Sequence, residues 1–189
     1  MLSWISLAAC ATIPDGRYGV DELELEGVNV LDPYALRACL ATQERDSLAI
    51  DLSKSPSPNC GAPPFDAKRI HLPLWRWAWT DWPLYDPNIF ERDVGRIERW
   101  YRARGYYGAR ILEAKSEPSE ALYGGGSPTP DANEIRLHVK LLEGKPVRIS
   151  SVGIDGVSAL EEDLGTALLE EMDGLAPAEP FDEAEFDRT

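Results

Sequence analysis

Ile97-Glu98-Arg99-Trp100-Tyr101-Arg102-Ala103-Arg104-Gly105-Tyr106-Tyr107 passes from one periodicity into another at a glycine. Upstream of it, Phe90, Val94, Ile97 and Tyr101 are spaced i, i+4, i+7, i+11 and make one apolar stripe, which Trp100 widens. Arg92, Arg96 and Arg99 fall on another face. This is the pattern of an amphipathic helix, predicted from Pro87 to Gly105. Gly105 suits the left-handed position that closes a helix. Beyond it, Tyr107, Ala109 and Ile111 alternate with Gly108 and Arg110, the period of a strand.

Working outward, Ile135, Leu137, Val139 and Leu141 alternate strictly with Arg136, His138 and Lys140. Together with the strand after Gly105 they predict a hairpin whose connection is the Gly/Pro-rich stretch 118–133. Upstream, Leu23 and Leu25 alternate with Glu22, Glu24 and Glu26, predicting a half-buried first strand over 20–28 with the glutamates facing solvent. Asp32 then reads as an N-cap with Pro33 at the first helical position, and Leu36, Cys39 and Leu40 give one face of a helix to about Ala41. The order strand, helix, helix, strand, strand is an α+β class: two helices on a three-stranded mixed sheet.

Between the two helices, residues 43–86 read as an irregular insertion. Seven prolines lie from Pro56 to Pro87 and exclude long helices. Residues 72–79 alternate as a single extended segment. Trp75, Trp77, Trp79 and Trp82 make four of the six tryptophans. They are a candidate aromatic surface for sugar, peptide or lipid headgroups, or the large side chains that pin a long insertion to its domain.

The pattern restarts after Gly144. Leu23, Leu25, Gly27, Val28, Leu31 and Leu40 align with Val152, Ile154, Gly156, Val157, Leu160 and Leu169 at an offset of 129, while Phe90-Glu91-Arg92-Asp93 aligns with Phe186-Asp187-Arg188-Thr189 at 96. The difference of 33 places an insertion in the first copy. The expected organisation is a leader and linker over 1–18, a complete domain over 19–145 with its insertion at about 43–86, and an incomplete second repeat over 146–189 that stops in its second helix.

Charge and composition exclude whole classes. A net charge of −14 leaves no broad surface to neutralise phosphates, so nucleic acid is not a partner. No His or second Cys pair sits at metal spacing, Gly124-Gly125-Gly126 lacks the helix and lysine of a phosphate loop, and neither His71 nor His138 has a catalytic partner by spacing. No cofactor and no enzymatic activity are expected. The arginines Arg92, Arg96, Arg99, Arg102 and Arg104 form a basic cluster, read as a solvated helix face or a contact to anionic lipid at a membrane surface. Leu7-Ala8-Ala9-Cys10 is like a bacterial lipobox, making Cys10 a candidate lipidation site, although no Lys or Arg precedes it. Cys39 and Cys60 are either a disulfide pair or two free thiols.

Several of these stretches together resemble a known family. Leu25-Glu26-Gly27-Val28, Leu84-Tyr85-Asp86 leading into Phe90-Glu91-Arg92-Asp93, and the run Ile97 to Tyr107 are similar to POTRA domains, the repeats of BamA/TamA-type outer-membrane assembly factors. The resemblance covers about Gly19 to Thr189; the Trp-rich insertion departs from it. It implies a location on the periplasmic face of the outer membrane of a diderm bacterium, and a C-terminal β-barrel absent from this chain. Its implied partners are unfolded outer-membrane proteins or accessory assembly proteins. It also implies that clients add to the first strand of the hairpin, here Tyr107, Gly108, Ala109, Arg110, Ile111, Leu112 and Glu113. Two other readings stand beside it: a Trp-rich carbohydrate-binding envelope protein, and a barrel-less protein of division or secretion built on the same repeat.

Overall fold

The computed structural model describes residues 12–52, 60, 71–75, 80–119, 133–152, 155–156, 162–171 and 180–188. They belong to two compact units, one built from Met1–Ile97 with Ile111–Leu141, the other from Glu98–Arg110 with Leu142–Thr189. In the first unit a three-stranded mixed sheet has the order β1 (Gly19–Glu26), β5 (Glu134–Leu142), β4 (Arg110–Pro118). β1 runs parallel to β5, with Val20 opposite Ile135, Leu23 opposite Leu137 and Leu25 opposite Val139. The core lies on one face of the sheet, where Val20, Leu23, Leu31, Leu36, Phe90, Ile97, Leu137 and Val139 are buried. β5 buries Ile135, Leu137, Val139 and Leu141. At roughly 1.5–3 kcal/mol for each such side chain, β5 is the strand the unit can least do without.

The opposite face of the sheet is a lattice of cross-strand ion pairs. Glu22 meets Arg136 at 2.9 Å, and Glu26 meets Lys140 at 2.6 Å and His138 at 3.1 Å. The hydrogen bond from Lys140 holds the Glu26 carboxyl below its usual range. Exposed pairs of this kind stabilise little, but they favour this register over a slipped one. The glutamates Glu22 and Glu26 therefore face solvent as the alternation predicts, each with a basic partner on β5.

Helix α1 (Pro33–Arg37) starts at Asp32, whose carboxylate accepts the Tyr34 N–H at 2.9 Å. It is shorter than the stripe to Ala41 suggests. The reason is Asp93, whose buried carboxylate accepts the N–H groups of Ala41 at 3.1 Å and Thr42 at 2.7 Å, so those amides close no further turn. A second departure lies in the insertion. It holds a two-stranded antiparallel ribbon, β2 (Leu48–Asp51) with β3 (His71–Trp75), so the predicted extended segment is paired over its described part, 72–75, while 76–79 lie outside the described residues. Helix α2 (Pro87–Arg102) is capped by Asp86, which accepts the Asn88 N–H at 2.8 Å.

The second unit starts from the last turn of α2. Gly105 has φ +78°. Its N–H reaches Arg102 O at 3.0 Å and the Tyr106 N–H reaches back to Tyr101 O at 3.0 Å, a Schellman closure. The Tyr101 and Tyr106 rings meet edge to face at 5.8 Å, the apolar contact that accompanies this motif. The Tyr101 hydroxyl donates to the buried Glu143 carboxylate at 2.9 Å. Burial, together with the Glu143 charge, pushes the phenol far up its titration range. Helices α3 (Glu162–Glu171) and α4 (Glu183–Arg188) follow.

Within each unit the same local bonds occur, at the spacings where the sequence repeats. Tyr85 N–H donates to Tyr18 O at 2.8 Å, and Phe181 N–H to Val147 O at 3.1 Å. The isolated antiparallel bridge Gly19–Leu84 has its counterpart in Arg148–Pro180. Asp182 caps α4 through the Ala184 N–H at 2.8 Å, as Asp86 caps α2. Gly27 has φ +96° and Gly156 has φ +91°.

Candidate partner-binding edge of the sheet

A three-stranded sheet has two outer strands, here β1 and β4. An outer strand carries a row of backbone groups that must be covered or left to pair with something else. β1 is covered from Val20 to Leu23. Its Val20 N–H donates to Pro83 O at 2.8 Å and its Val20 O accepts the Arg45 N–H at 3.1 Å. Further along, the Leu23 N–H donates to Glu44 Oε2 at 3.0 Å and the Leu23 O accepts from the Arg37 guanidinium at 2.8 Å. Arg37 and Glu44 are themselves an ion pair at 2.7 Å, so the two side chains form one clasp over the edge.

β4 differs. Among the described residues, nothing outside the sheet hydrogen-bonds the backbone of Leu112 to Pro118. The Ser119 N–H points at β5, donating to Glu134 O at 2.9 Å. By alternation the amides of Glu113, Lys115 and Glu117 also face β5, while those of Leu112, Ala114 and Ser116 face outward. Pro118 stands at an outward position, where its missing N–H takes nothing from the sheet. On the charged face Lys115 bridges Glu117 at 2.8 Å and Glu113 at 3.5 Å. That pairing holds the lysine above its ordinary range, Glu117 being the main cause. On the other face Leu112, Ala114 and Ser116 are exposed. The strand thus offers outward N–H and C=O groups, a small apolar strip and a charged strip. That is the chemistry needed to accept an extended peptide as a further strand.

The predicted edge began too early. Tyr107 and Gly108 lie in a turn, and Ala109 is buried with its N–H on Tyr106 O at 3.0 Å. The Schellman closure uses up residues 104–106, and the chain needs three more to enter the sheet. Arg110, Ile111, Leu112 and Glu113 are in β4, which continues to Pro118. The alternation ends at Glu113 in the sequence only because Ala114 to Pro118 carry little apolar signal.

The other candidate residues are dispersed. Cys39 and Cys60 are joined by a disulfide, while Cys10 lies outside the described residues. Trp75 is half-exposed in β3, and Trp82 lies beneath the Arg45 guanidinium at 3.9 Å. Arg45 also donates to Thr80 Oγ1 at 3.2 Å, so Trp82 helps to anchor the insertion. Trp77 and Trp79 are outside the described residues. The arginine cluster divides. Arg96 pairs with Asp93, and Arg102 pairs with Glu98 at 3.4 Å. Arg104, read as a solvated side chain, is instead buried. It stacks on Trp100 at 4.1 Å and donates to Trp100 O at 3.0 Å. Burial pulls its guanidinium below the ordinary range, and the Asp182 carboxylate opposes that shift.

Two residues of consequence escaped the sequence reading. Asp93 was legible, since it sits three residues after Phe90 and four before Ile97, on the apolar stripe where an acid has no reason to be unless it is bonded. Glu143 gave no signal, because its partner Tyr101 is 42 residues away. Among the described residues no cluster of three or more His, Cys, Asp or Glu side chains could hold a metal ion, and no helix is long and apolar enough to cross a membrane.

Residues 18–144 match the family model for POTRA, described as surface antigen variable number repeat. Among solved structures, the crystal structure of Haemophilus influenzae BamA POTRA3-5 matches with a TM-score of 0.44 and 14% identity, over 93% of this chain and 53% of that one. The chain thus spans about half the length of that structure. No curated protein matches.

Proposed function

The chain belongs to the POTRA family, and on that premise we propose that it is the POTRA module of an outer-membrane protein assembly or translocation factor. It works by binding rather than by catalysis, holding client polypeptides or accessory proteins at the periplasmic face of the outer membrane. The client is an extended segment that adds to β4 through main-chain hydrogen bonds. The observation that carries this is the contrast between the two sheet edges: β1 is closed by Pro83, Arg45, Glu44 and Arg37, whereas the described surroundings leave the outward amides of Leu112, Ala114 and Ser116 unbonded.

In this reading residues 19–145 form one repeat and residues 146–189 open a second. The recurrence of the Tyr85–Tyr18 bond as Phe181–Val147, and of the Asp86 cap as Asp182, supports that division. The insertion between α1 and α2 is an addition to the first repeat, tied down by the Cys39–Cys60 disulfide and by Arg45 on Trp82.

The test is Ala114→Pro. It removes an outward N–H without touching the ladder to β5. A peptide of about ten residues with alternating apolar and polar side chains, the length of one barrel strand, is photo-crosslinked to the chain. The substitution is expected to cut crosslinking at least about tenfold, since each net hydrogen bond lost and the added steric clash weaken the pairing, while the far-ultraviolet circular dichroism stays unchanged. Undiminished crosslinking in a folded variant contradicts strand addition at β4.

A further inference from the structure

The charged face of the sheet is complementary strand against strand. On β1, Glu22, Glu24 and Glu26 stand opposite Arg136, His138 and Lys140 of β5, residue for residue. Contacts of 2.9 Å from Glu22 to Arg136, and of 2.6 and 3.1 Å from Glu26 to Lys140 and His138, carry that complementarity. β4 brings a third row to the same face. Its Glu113, Lys115 and Glu117 alternate with Leu112, Ala114 and Ser116 and so share one side. Lys115 bridges both glutamates. It is the main cause holding the Glu117 carboxyl below its usual range, and His138 and Arg136 of β5 add to it. One ammonium between two carboxylates leaves a carboxylate in excess, and the three side chains are between 39% and 53% exposed.

Resting on the reading that β4 accepts an extended client, we infer that this row is the specificity filter of that edge. The preferred client is a strand whose polar side reads basic, acidic, basic at alternate positions, the complement of Glu113, Lys115 and Glu117. The geometry of addition puts these residues where they can read a client. Their own amides face β5, so in an antiparallel addition they fall in the non-hydrogen-bonded pairs, where Cα atoms stand about 4.5 Å apart and side chains approach most closely. The outward backbone groups of Leu112, Ala114 and Ser116 hold any extended sequence; the charged row tells sequences apart. The other face of β4 cannot do so. Leu112, Ala114 and Ser116 offer one large apolar side chain among them, too little to fix the register of an added strand. The seam between β1 and β5 already uses the same device, with opposite charges set across from one another. A client reading acidic, basic, acidic meets like charge at every position and is rejected.

The experiment is a fluorescence-anisotropy titration of the full chain with labelled peptides of about ten residues, identical apart from three alternate polar positions. The first peptide reads Lys, Glu, Lys there, the second Glu, Lys, Glu, and the third Lys, Lys, Glu, with the net charge of the first. At low salt the first is expected to bind at least about tenfold tighter than the second and about threefold tighter than the third, since each cross-strand pair counts for or against it. Both margins shrink at 1 M salt, where screening acts within about 3 Å. In a variant carrying Glu113→Lys, Lys115→Glu and Glu117→Lys together, the order of the first two peptides is expected to reverse. Glu113→Gln with Glu117→Gln adds no charge beside Arg136 and His138 and is expected to narrow the first margin at least about threefold. Equal affinity of the first and third peptides overturns the filter in favour of attraction by net charge. Equal affinity of all three, with the amides of Leu112, Ala114 and Ser116 protected from exchange by each, overturns the filter and leaves strand addition at β4 standing. Protection of those amides by none of the peptides overturns strand addition and the filter with it.

Discussion

Asp93 stands on the helical stripe between Phe90 and Ile97, in a place that burial alone would make costly for a carboxylate. Desolvation pushes its pKa up, but the hydrogen bonds from the Ala41 and Thr42 amides and from Arg96, together with the neighbouring Thr42 side chain, outweigh it, and the carboxyl ends below its usual range. It is a strut between α2 and the chain leaving α1. Asp93→Ala leaves two amides unsatisfied in a buried place and is expected to destabilise the first unit by roughly 2–4 kcal/mol in urea denaturation. The stabilisation from ionised Asp93 is complete above the ordinary carboxylate pKa of about 4 and is lost as pH falls through the depressed value in the fold. Asp93→Asn should therefore flatten the acid limb of stability below the ordinary carboxylate pKa of about 4. Gly27 makes a second point at this scale. Its φ is +96°, and a Cβ there would stand 2.1 Å from Leu141 O. Gly27→Ala must shift backbone as well as adopt a left-handed conformation, and a loss of about 2 kcal/mol or more is expected in the same assay.

At the scale of elements, what was legible in the sequence is what local periodicity encodes. The stripe of α2, the alternation of β5 and the glycine that closes the helix needed no partner to be read. The lengths of α1 and β4 did need partners. α1 stops early because an acid 52 residues from Ala41 takes its amides. β4 runs on to Pro118 because β5 supplies the ladder that its own weakly apolar residues do not advertise. The ribbon was invisible for the same reason: the pairing of Ile50 with Leu72 is non-local, and a proline in β3 argues against a strand until the partner is known. The edge itself belongs to this category. Alternation could suggest a strand, but which outer strand is closed depends on Arg37, Glu44, Arg45 and Pro83, contributed from three separate places in the chain.

At the scale of the whole molecule, local bonds recur at the spacings where the sequence repeats. Offsets of 129 and 96 in the sequence correspond to the same hydrogen bonds, bridges and caps within each unit. Phe186 is 58% exposed, whereas its counterpart Phe90 is 8% exposed beside the complete sheet.

The most direct test is amide hydrogen exchange of the full chain, with and without the alternating peptide of about one barrel strand. Strand addition at β4 requires that the amides of Leu112, Ala114 and Ser116 slow markedly when peptide is present, while those of Val20 and Leu23, already bonded, do not change. Peptide binding that leaves these three amides exchanging at their original rate, or that protects β1 instead, contradicts the account.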